Sequence, residues 1–521
     1  MRAPALASKR ARQEAIGQSM SMAAPVKGWN TRDPLANMNA LYAITLDNWL
    51  PGTGTVSVRP GAIDFETGFS TTKVKTLCPW RGAASQKLFA STDSGFYDIS
   101  AGGVVGAVVQ ARTNGYCSYV NFTTTGGSFL VTVNGTDDLV YTNGTTWTSI
   151  ASFTISAGGT LTTNQIFNIN SFKRSLYFLK KNSMSFFFLP IDSITGTVSE
   201  FPLGGLFNKG GYLVAMGTWT IDGGFGADDY SVFITSEGQA AVYKGTDPSS
   251  STTWALNGIY DLAPPLGAKC FCRMGGDLLV MTHRGIFSMS RVLKDTMLVA
   301  TSALTDVIGE AFTSAAANGL TMKGWELIEY PEWNVLVCNI PLVEFTQSVQ
   351  FVLNTKTGAW CRFTNWDGFS FAFYNSKLYM GMQGKVAQVF YPGNDFNASI
   401  TAIAKAAFNY YTPRSRLKSW KLIRPNLTIG GKVAVNVALD TDFNVTTDYG
   451  TAVFNTAAQS RWDAAYWDQA LWSTEPQPHT EWLTISAADS YCSAVCLRVI
   501  SRDATIIWSA TDVLYEAGAM V

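Results

Sequence analysis

A mainly β protein built around a β-propeller is what this chain predicts, on three observations. An apolar strand, a tight polar turn and a second apolar strand recur as a unit from about residue 73 to residue 393. Successive units lie roughly 40 to 55 residues apart, the repeat length of a four-stranded blade. The turns inside them carry glycine where a positive φ is needed, as in Asn134-Gly135, Glu237-Gly238, Arg284-Gly285 and Gln383-Gly384. The units are 87–99, 129–141, 175–189, 230–243, 278–289, 334–363 and 377–390, and Trp147, Trp254 and Trp360 stand close behind strands of this kind.

A hairpin of this type has an apolar face that it cannot bury alone. A closed ring of blades buries every such face and leaves no long open edge. Six or seven blades are therefore expected over residues 62–398; a stack of β-sandwiches would place its turns at shorter intervals. Two inserts interrupt the series. Residues 301–318 are alanine-rich, with Thr305 as a candidate N-cap and Gly319 just past the end, and are predicted to be helical. Residues 201–226 are glycine-rich and aromatic, and read either as a loop that contacts a neighbour or as an ordinary inter-blade strand and turn.

Beyond Pro392-Gly393 the pattern changes. Residues 399–411 read as a short helix or an extended crossover. Short alternating strands at 417–427, 432–439, 482–485, 492–500 and 505–515 then predict a C-terminal β-sandwich over 399–521. Within it, Trp462-Asp463, Trp467-Asp468 and Trp472 repeat every five residues, which fits neither a helix face nor a strand face. The period suits successive turns, each Asp capping backbone amides and each Trp plugging a pocket or a subunit contact, with carbohydrate binding as the alternative.

Residues 1–61 precede the first unit as an arm and lacing segment. The arm carries Arg2, Lys9, Arg10 and Arg12 without a continuous apolar stretch, so no signal peptide is expected, and no run of about 18 apolar residues predicts a membrane-spanning helix. It reads as a segment that docks on a neighbour, or as simple disorder. In 28–61, Asp33-Pro34 predicts a capped short helix, while Pro51-Gly52 and Pro60-Gly61 mark turns around a brief strand, 55–59. The segment is built to lace onto something else.

Composition narrows the function. The 521 residues are 47% hydrophobic and 13% aromatic, enough for a large core. Only 15% are charged, against roughly 25% in an average soluble protein, so much of the surface is expected to be covered by partners, the alternative being a Ser/Thr/Asn/Gly-rich β-surface that is polar without charge. With 38 basic and 38 acidic residues there is no net charge to drive tight, sequence-independent nucleic-acid binding. The eight cysteines lack a disulfide or metal-finger layout and read as buried free thiols in a reducing compartment.

No catalytic set, metal site or cofactor site is found. Ser91 to Tyr97 contains one partial Asp-box of the sialidase type, without repeats. There is no Gly-x-Ser-x-Gly elbow. Asp440-Thr441-Asp442 opens like a calcium loop, but Val445 and Thr451 replace the required glycine and glutamate. Only His283 and His479 are available, and His283 reads as an exposed turn residue.

The phrases Trp29 to Asp33, Leu46 to Trp49 with Pro51, and Arg59 to Gly61 resemble those of the tail nozzle (tail hub) proteins of short-tailed bacteriophages, also called packaged-DNA stabilisation proteins. The Trp-Asp repeat near the C-terminus is similar to theirs too. The resemblance implies a non-enzymatic virion structural protein, assembled in the host bacterial cytoplasm. It further implies a homohexameric ring continuous with the head-to-tail adaptor, which retains packaged DNA, conducts double-stranded DNA at ejection and anchors fibres, spikes or a needle. On that basis Trp29, Arg32, Trp49 and Arg59 are candidate interface residues, with Trp462, Trp467 and Trp472 as a second set. The alternative is a carbohydrate-binding or glycan-processing propeller, such as a receptor-binding tail component.

Overall fold

The hairpin units of the sequence supply the second and third strands of successive sheets, and seven such sheets surround a single axis. The computed structural model describes residues 17–222, 227–294, 303–412, 414–430, 433–446, 477–485, 487–502 and 505–518. The innermost strands follow one another around the axis as Thr76–Arg81, Ser118–Thr124, Ile166–Phe172, Leu213–Asp222, Phe271–Met274, Glu326–Tyr330 and Ser370–Tyr374, the last packing against the first. Six of the seven places in the ring are filled by separate sheets. The remaining place is filled by the first four strands of a nine-stranded sheet that runs on outside it.

Burial explains the residue choice in each strand. Second strands such as Gln86–Thr92, Ser175–Lys180 and Asp277–Thr282 are covered by a neighbouring blade on each face and are almost continuously buried. They therefore read as unbroken apolar runs. Outer strands such as Trp254–Asp261 face water and are largely exposed.

Polar groups near the start of the inner strands stitch neighbouring blades together. The Ser370 hydroxyl accepts from the Leu77 amide (3.2 Å), the Thr76 hydroxyl from the Cys117 amide (3.1 Å) and the Ser118 hydroxyl from the Ile169 amide (3.3 Å). Glu326, the first residue of its strand, accepts from the Phe371 amide (2.9 Å) on one side and from Lys269 Nζ (3.2 Å) on the other. Three blades thus meet at one carboxylate.

The ring closes with an N-terminal strand. Gly61–Thr67 pairs antiparallel with Val386–Tyr391 and completes the blade begun by Ser370–Tyr374 and Lys377–Gly381. Gly61 is glycine for lack of room: a Cβ there would lie 2.0 Å from the Asn394 carbonyl oxygen.

Outside the ring, the nine-stranded sheet continues from Trp360–Phe363 through Gly28–Trp29 and Tyr42–Asp47 to Ile400–Ala406, Ser493–Ser501 and Val433–Thr441. A second sheet joins Lys418–Gly430 and Thr505–Ala517 to Val56–Val58, Trp49–Pro51 and Gln18–Ala23. The alternating burial of Lys418–Gly430 and Val433–Thr441 fits two sheets with one inner face each. Trp420, Leu427, Leu497 and Trp508 lie between them, in a core continuous with that of the adjoining blades. No seam falls at residue 399, because strands from 28–58 are built into both sheets.

Several local expectations change. Asp33-Pro34 opens a turn, closed by the Asn37 amide on the Pro34 carbonyl (3.0 Å), instead of a helix. Residues 400–406 are a strand. The described part of 201–226 ends one blade and supplies the inner strand Leu213–Asp222 of the next, so it is the inter-blade strand and turn. The alanine-rich insert is helical over Gly309–Asn318, but Thr305 uses its hydroxyl on the Ile286 amide and does not cap. His283 is half-buried in its turn.

Glu66, in the ring-closing strand, is 2% exposed, and its Oε2 meets no donor among the described residues. Burial first, and then Asp98, push its pKa above the ordinary 4.5. Because the folded chain holds this proton more tightly than the unfolded one, stability contributed at low pH is lost as pH rises from about 4.5 through the raised value. Glu66→Gln is expected to be more stable than the parent at pH 8 by about 1 kcal/mol, with the gap closing toward pH 4.5. Urea titrations at both pH values read this, and a parent at least as stable at pH 8 contradicts it.

Candidate functional site: the lacing hub and the channel mouth

The phrases singled out in the sequence converge on one hub. Asn48 adopts φ 59°, in the left-handed region that asparagine tolerates better than most residues. That turn directs its amide to the Arg362 carbonyl (2.8 Å) and its carbonyl to the Arg59 amide (2.9 Å). Its side chain is used at both ends. Nδ2 donates to Thr364 Oγ1 and to the Thr401 carbonyl, both at 2.8 Å, while Oδ1 accepts from Arg59 Nε and the Thr364 amide, again at 2.8 Å.

Arg59 is buried, and every nitrogen of its guanidinium has a partner. Besides Asn48 it donates to the Pro60 and Thr364 carbonyls (2.9 Å each) and, as a fork, to Asp395 at 2.9 and 2.6 Å. The plane lies 4.4 Å from the Trp366 ring centre, and Trp366 Nε1 donates to the same Asp395 carboxylate at 3.0 Å. A buried charge is tolerated only when met this fully. Beside it, Asp47 takes a two-pronged contact from Arg362 (2.7 Å each), and the Arg362 guanidinium lies 5.5 Å from the Trp29 ring centre. Gly28, with φ +83°, packs so tightly on Trp360 that a Cβ would lie 2.4 Å from its carbonyl oxygen.

The interface expectation for these residues is thereby corrected. Trp29 and Trp49 are buried, Trp29 donating to the Ile44 carbonyl (3.0 Å) and Trp49 packing on Trp508 with ring centres 5.8 Å apart. With Arg59, they spend their surface on the chain's own strands and leave none for a neighbour. Arg32 alone is exposed, its side chain 46% accessible, with partners Asp33 and Asp306 beside the Gly309–Asn318 helix. Trp462, Trp467 and Trp472 lie outside the described residues.

A second arrangement sits where the inner strands begin. A cavity of about 320 Å³ opens at that end of the propeller axis, the channel mouth, lined among others by Tyr116, Phe167, Lys181, Tyr212, Lys269 and Lys323. These residues come from the approaches to four inner strands, from the start of a fifth, Ile166–Phe172, and from the turn after Ser175–Lys180. Lys269 and Lys323 lie 5.3 and 5.8 Å from the Tyr116 ring centre. Burial pushes the Tyr116 phenol up to about 12. Burial works against the Lys269 charge, but Glu326 and Tyr116 outweigh it and the net shift is upward. No carboxylate lines the cavity.

This site had no linear signal, because its lysines are spread from 181 to 323. Its trace is positional: Lys75, Lys269 and Lys323 each stand one to three residues ahead of an inner strand, which only an alignment of the blades reveals.

The other chemical candidates resolve into structure. Asp440 pairs with buried Lys405 at 2.8 Å, so a lysine holds the carboxylate that a calcium ion would need. Asp442 accepts from the Tyr491 and Cys492 amides at 2.9 and 3.2 Å. Asp93 of the partial Asp-box binds Lys75 and the Gly115 amide. All eight cysteines are free, seven of them buried, with Cys78 and Cys117 Sγ 3.6 Å apart across two blades. Among the described residues no cluster of metal-binding side chains forms, and no helix is long and apolar enough to cross a membrane.

No protein-family model and no curated protein matches the chain. Among solved structures, one similar to it is BBS1N in complex with ARL6DN, at 9% identity over 64% of this chain and 96% of that one, with a TM-score of 0.37. Another is Sqt1 of Saccharomyces cerevisiae, at 11% identity over 64% and 99%, with a TM-score of 0.33. Likeness at this level bears on neither function nor partners.

The hub makes a direct stability prediction. Arg59→Ala leaves Asp395 buried without its cation and is expected to cost about 3–5 kcal/mol. Arg59→Lys also destabilises, since one ammonium cannot replace a fork that serves Asn48, Thr364 and Asp395 together. Denaturant titration of both variants checks this; a lysine variant as stable as the parent contradicts it.

Proposed function

We propose that this chain is a non-enzymatic structural subunit of a short-tailed phage virion, forming the tail nozzle as a ring around the DNA channel. The observation that carries the reading is the hub. The residues that carry the nozzle resemblance are those on which the N-terminal segment, a blade, the ring-closing strand and the outer sheets converge. The phrase is therefore a signature of how the chain is joined, and chains that share it are expected to share this architecture. The scarcity of charge, 15% of residues, supports extensive coverage by neighbouring subunits.

In this role the propeller and outer sheets form one rigid body. The ring retains packaged DNA, conducts it during ejection, and joins the head-to-tail adaptor to fibres, spikes or a needle. Since the hub is internal, subunit contacts fall to other surfaces: the exposed Arg32 side and the stretch containing Trp462, Trp467 and Trp472.

Sedimentation and negative-stain imaging of the full chain, alone and with a head-to-tail adaptor ring, test the proposal. A six-fold ring on the adaptor is expected. A protein that stays monomeric and docks on no adaptor overturns it, and thermal stabilisation by neutral sugars in that monomer would favour the carbohydrate-binding alternative. Replacing Trp462, Trp467 and Trp472 together by Ala is expected to leave the melting transition in place and abolish the ring. An intact ring in that variant removes the stretch from the interface.

A further inference from the structure

We propose that the channel mouth binds a small phosphate ester, a phosphate group carried on a compact ring-bearing body. The site is independent of whether the chain assembles into a nozzle. Three lysines, Lys181, Lys269 and Lys323, line one cavity that no carboxylate-bearing residue lines among the described residues. Their other commitments differ. Lys269 is tied to Glu326 at 3.2 Å and belongs to the stitching of the ring. Lys181 and Lys323 have no ion-pair partner among the described residues. Asp93, whose field reaches Lys323, makes its ion pair with Lys75 instead. Two lysines without an ion pair among the described residues therefore border a cavity whose third lysine is fixed in place.

The chemistry of the lining selects the ligand. Lysines act as separate point charges, which suits a tetrahedral oxyanion with several acceptor oxygens better than a planar carboxylate, whose usual partner is the arginine fork. Phe167 and Tyr212 add aromatic surface for a ring. The amides of Asn114 and Asn134 are spent on each other's carbonyls (3.3 and 2.8 Å) and keep the wall rigid. A volume of about 320 Å³ lies at the small end of ligand pockets, matching a sugar phosphate and too small for a polymer. The balanced charge of the whole chain supplies no net attraction for a polyanion, so a nucleic-acid strand is disfavoured.

The test is isothermal titration and thermal shift of the full protein at low salt, with glucose 6-phosphate, inorganic phosphate and glucose as probes. Glucose 6-phosphate is expected to bind and raise the melting temperature, inorganic phosphate to do so more weakly, and glucose to have no effect. Lys181→Gln with Lys323→Gln, both at exposed positions, should weaken the ester at least about tenfold without lowering the melting temperature of the free protein. Lys385→Gln, at a lysine that does not line the cavity and pairs with Asp64, should leave binding unchanged. No response to the ester up to about 10 mM overturns the proposal. So does an equal response in the double variant, a response to glucose as strong as to the ester, or binding of inorganic phosphate alone.

Discussion

The fold turns on a charge that has no route to water. Arg59 lies in the interior, and an unpaired guanidinium there would cost several kcal/mol. Its partners must therefore be in place together: Asn48 from the N-terminal segment, Thr364 at the end of one blade, and Asp395 just past the next. Apolar contacts could hold these three pieces near one another in many registers. A planar fork with five donors accepts only one. The hub thus acts as a registration device. It fixes where residues 28–58 enter the outer sheets, and so where Gly61–Thr67 must lie to close the ring.

That arrangement changes what the low charge content means. Only 15% of residues are charged, and several of those, including Arg59, Asp395, Lys405, Asp440, Glu66 and Arg112, are buried. The solvent-facing surface is poorer in charge than the sequence count implies. These buried charges hold strands in register and contribute nothing to the solvent-facing charge.

The propeller was legible because its physics is local. A second strand covered on both faces must be an apolar run, and a tight turn between two such strands needs a residue that tolerates positive φ, so all seven hairpins announce themselves. Their number left six or seven blades open, because a blade need not correspond to a single hairpin. The outer architecture was less legible because its pairings are long-range. Nothing in 42–47 says that this strand lies between Trp29 and residues 400–406, or that 56–58 pairs with 507–508. Trp29, Trp49 and Arg59 were correctly singled out but placed on the wrong side of the surface. A distinctive phrase in an extended segment looks the same whether it grips a neighbouring subunit or its own chain, and burial is what separates the two. Asp33-Pro34 failed as a helix signal for a nearer reason: Asp33 accepts from Asn30 and Arg32, so its side chain is not available to cap.

The channel mouth shows how ring closure and a binding surface become one problem. Lys269 lines the cavity, and its partner Glu326 also receives the Phe371 amide, so the cation nearest Tyr116 is held by the contact that joins three blades. An anion entering the mouth must share Lys269 with Glu326, and that competition acts on the seam between blades. Lys181 and Lys323 carry no such obligation and can turn toward a ligand without loosening the ring. The fixed lysine supplies position and the two free ones supply charge. This division follows from where each residue stands relative to its inner strand: beside a stitching residue, or on a turn that stitches nothing.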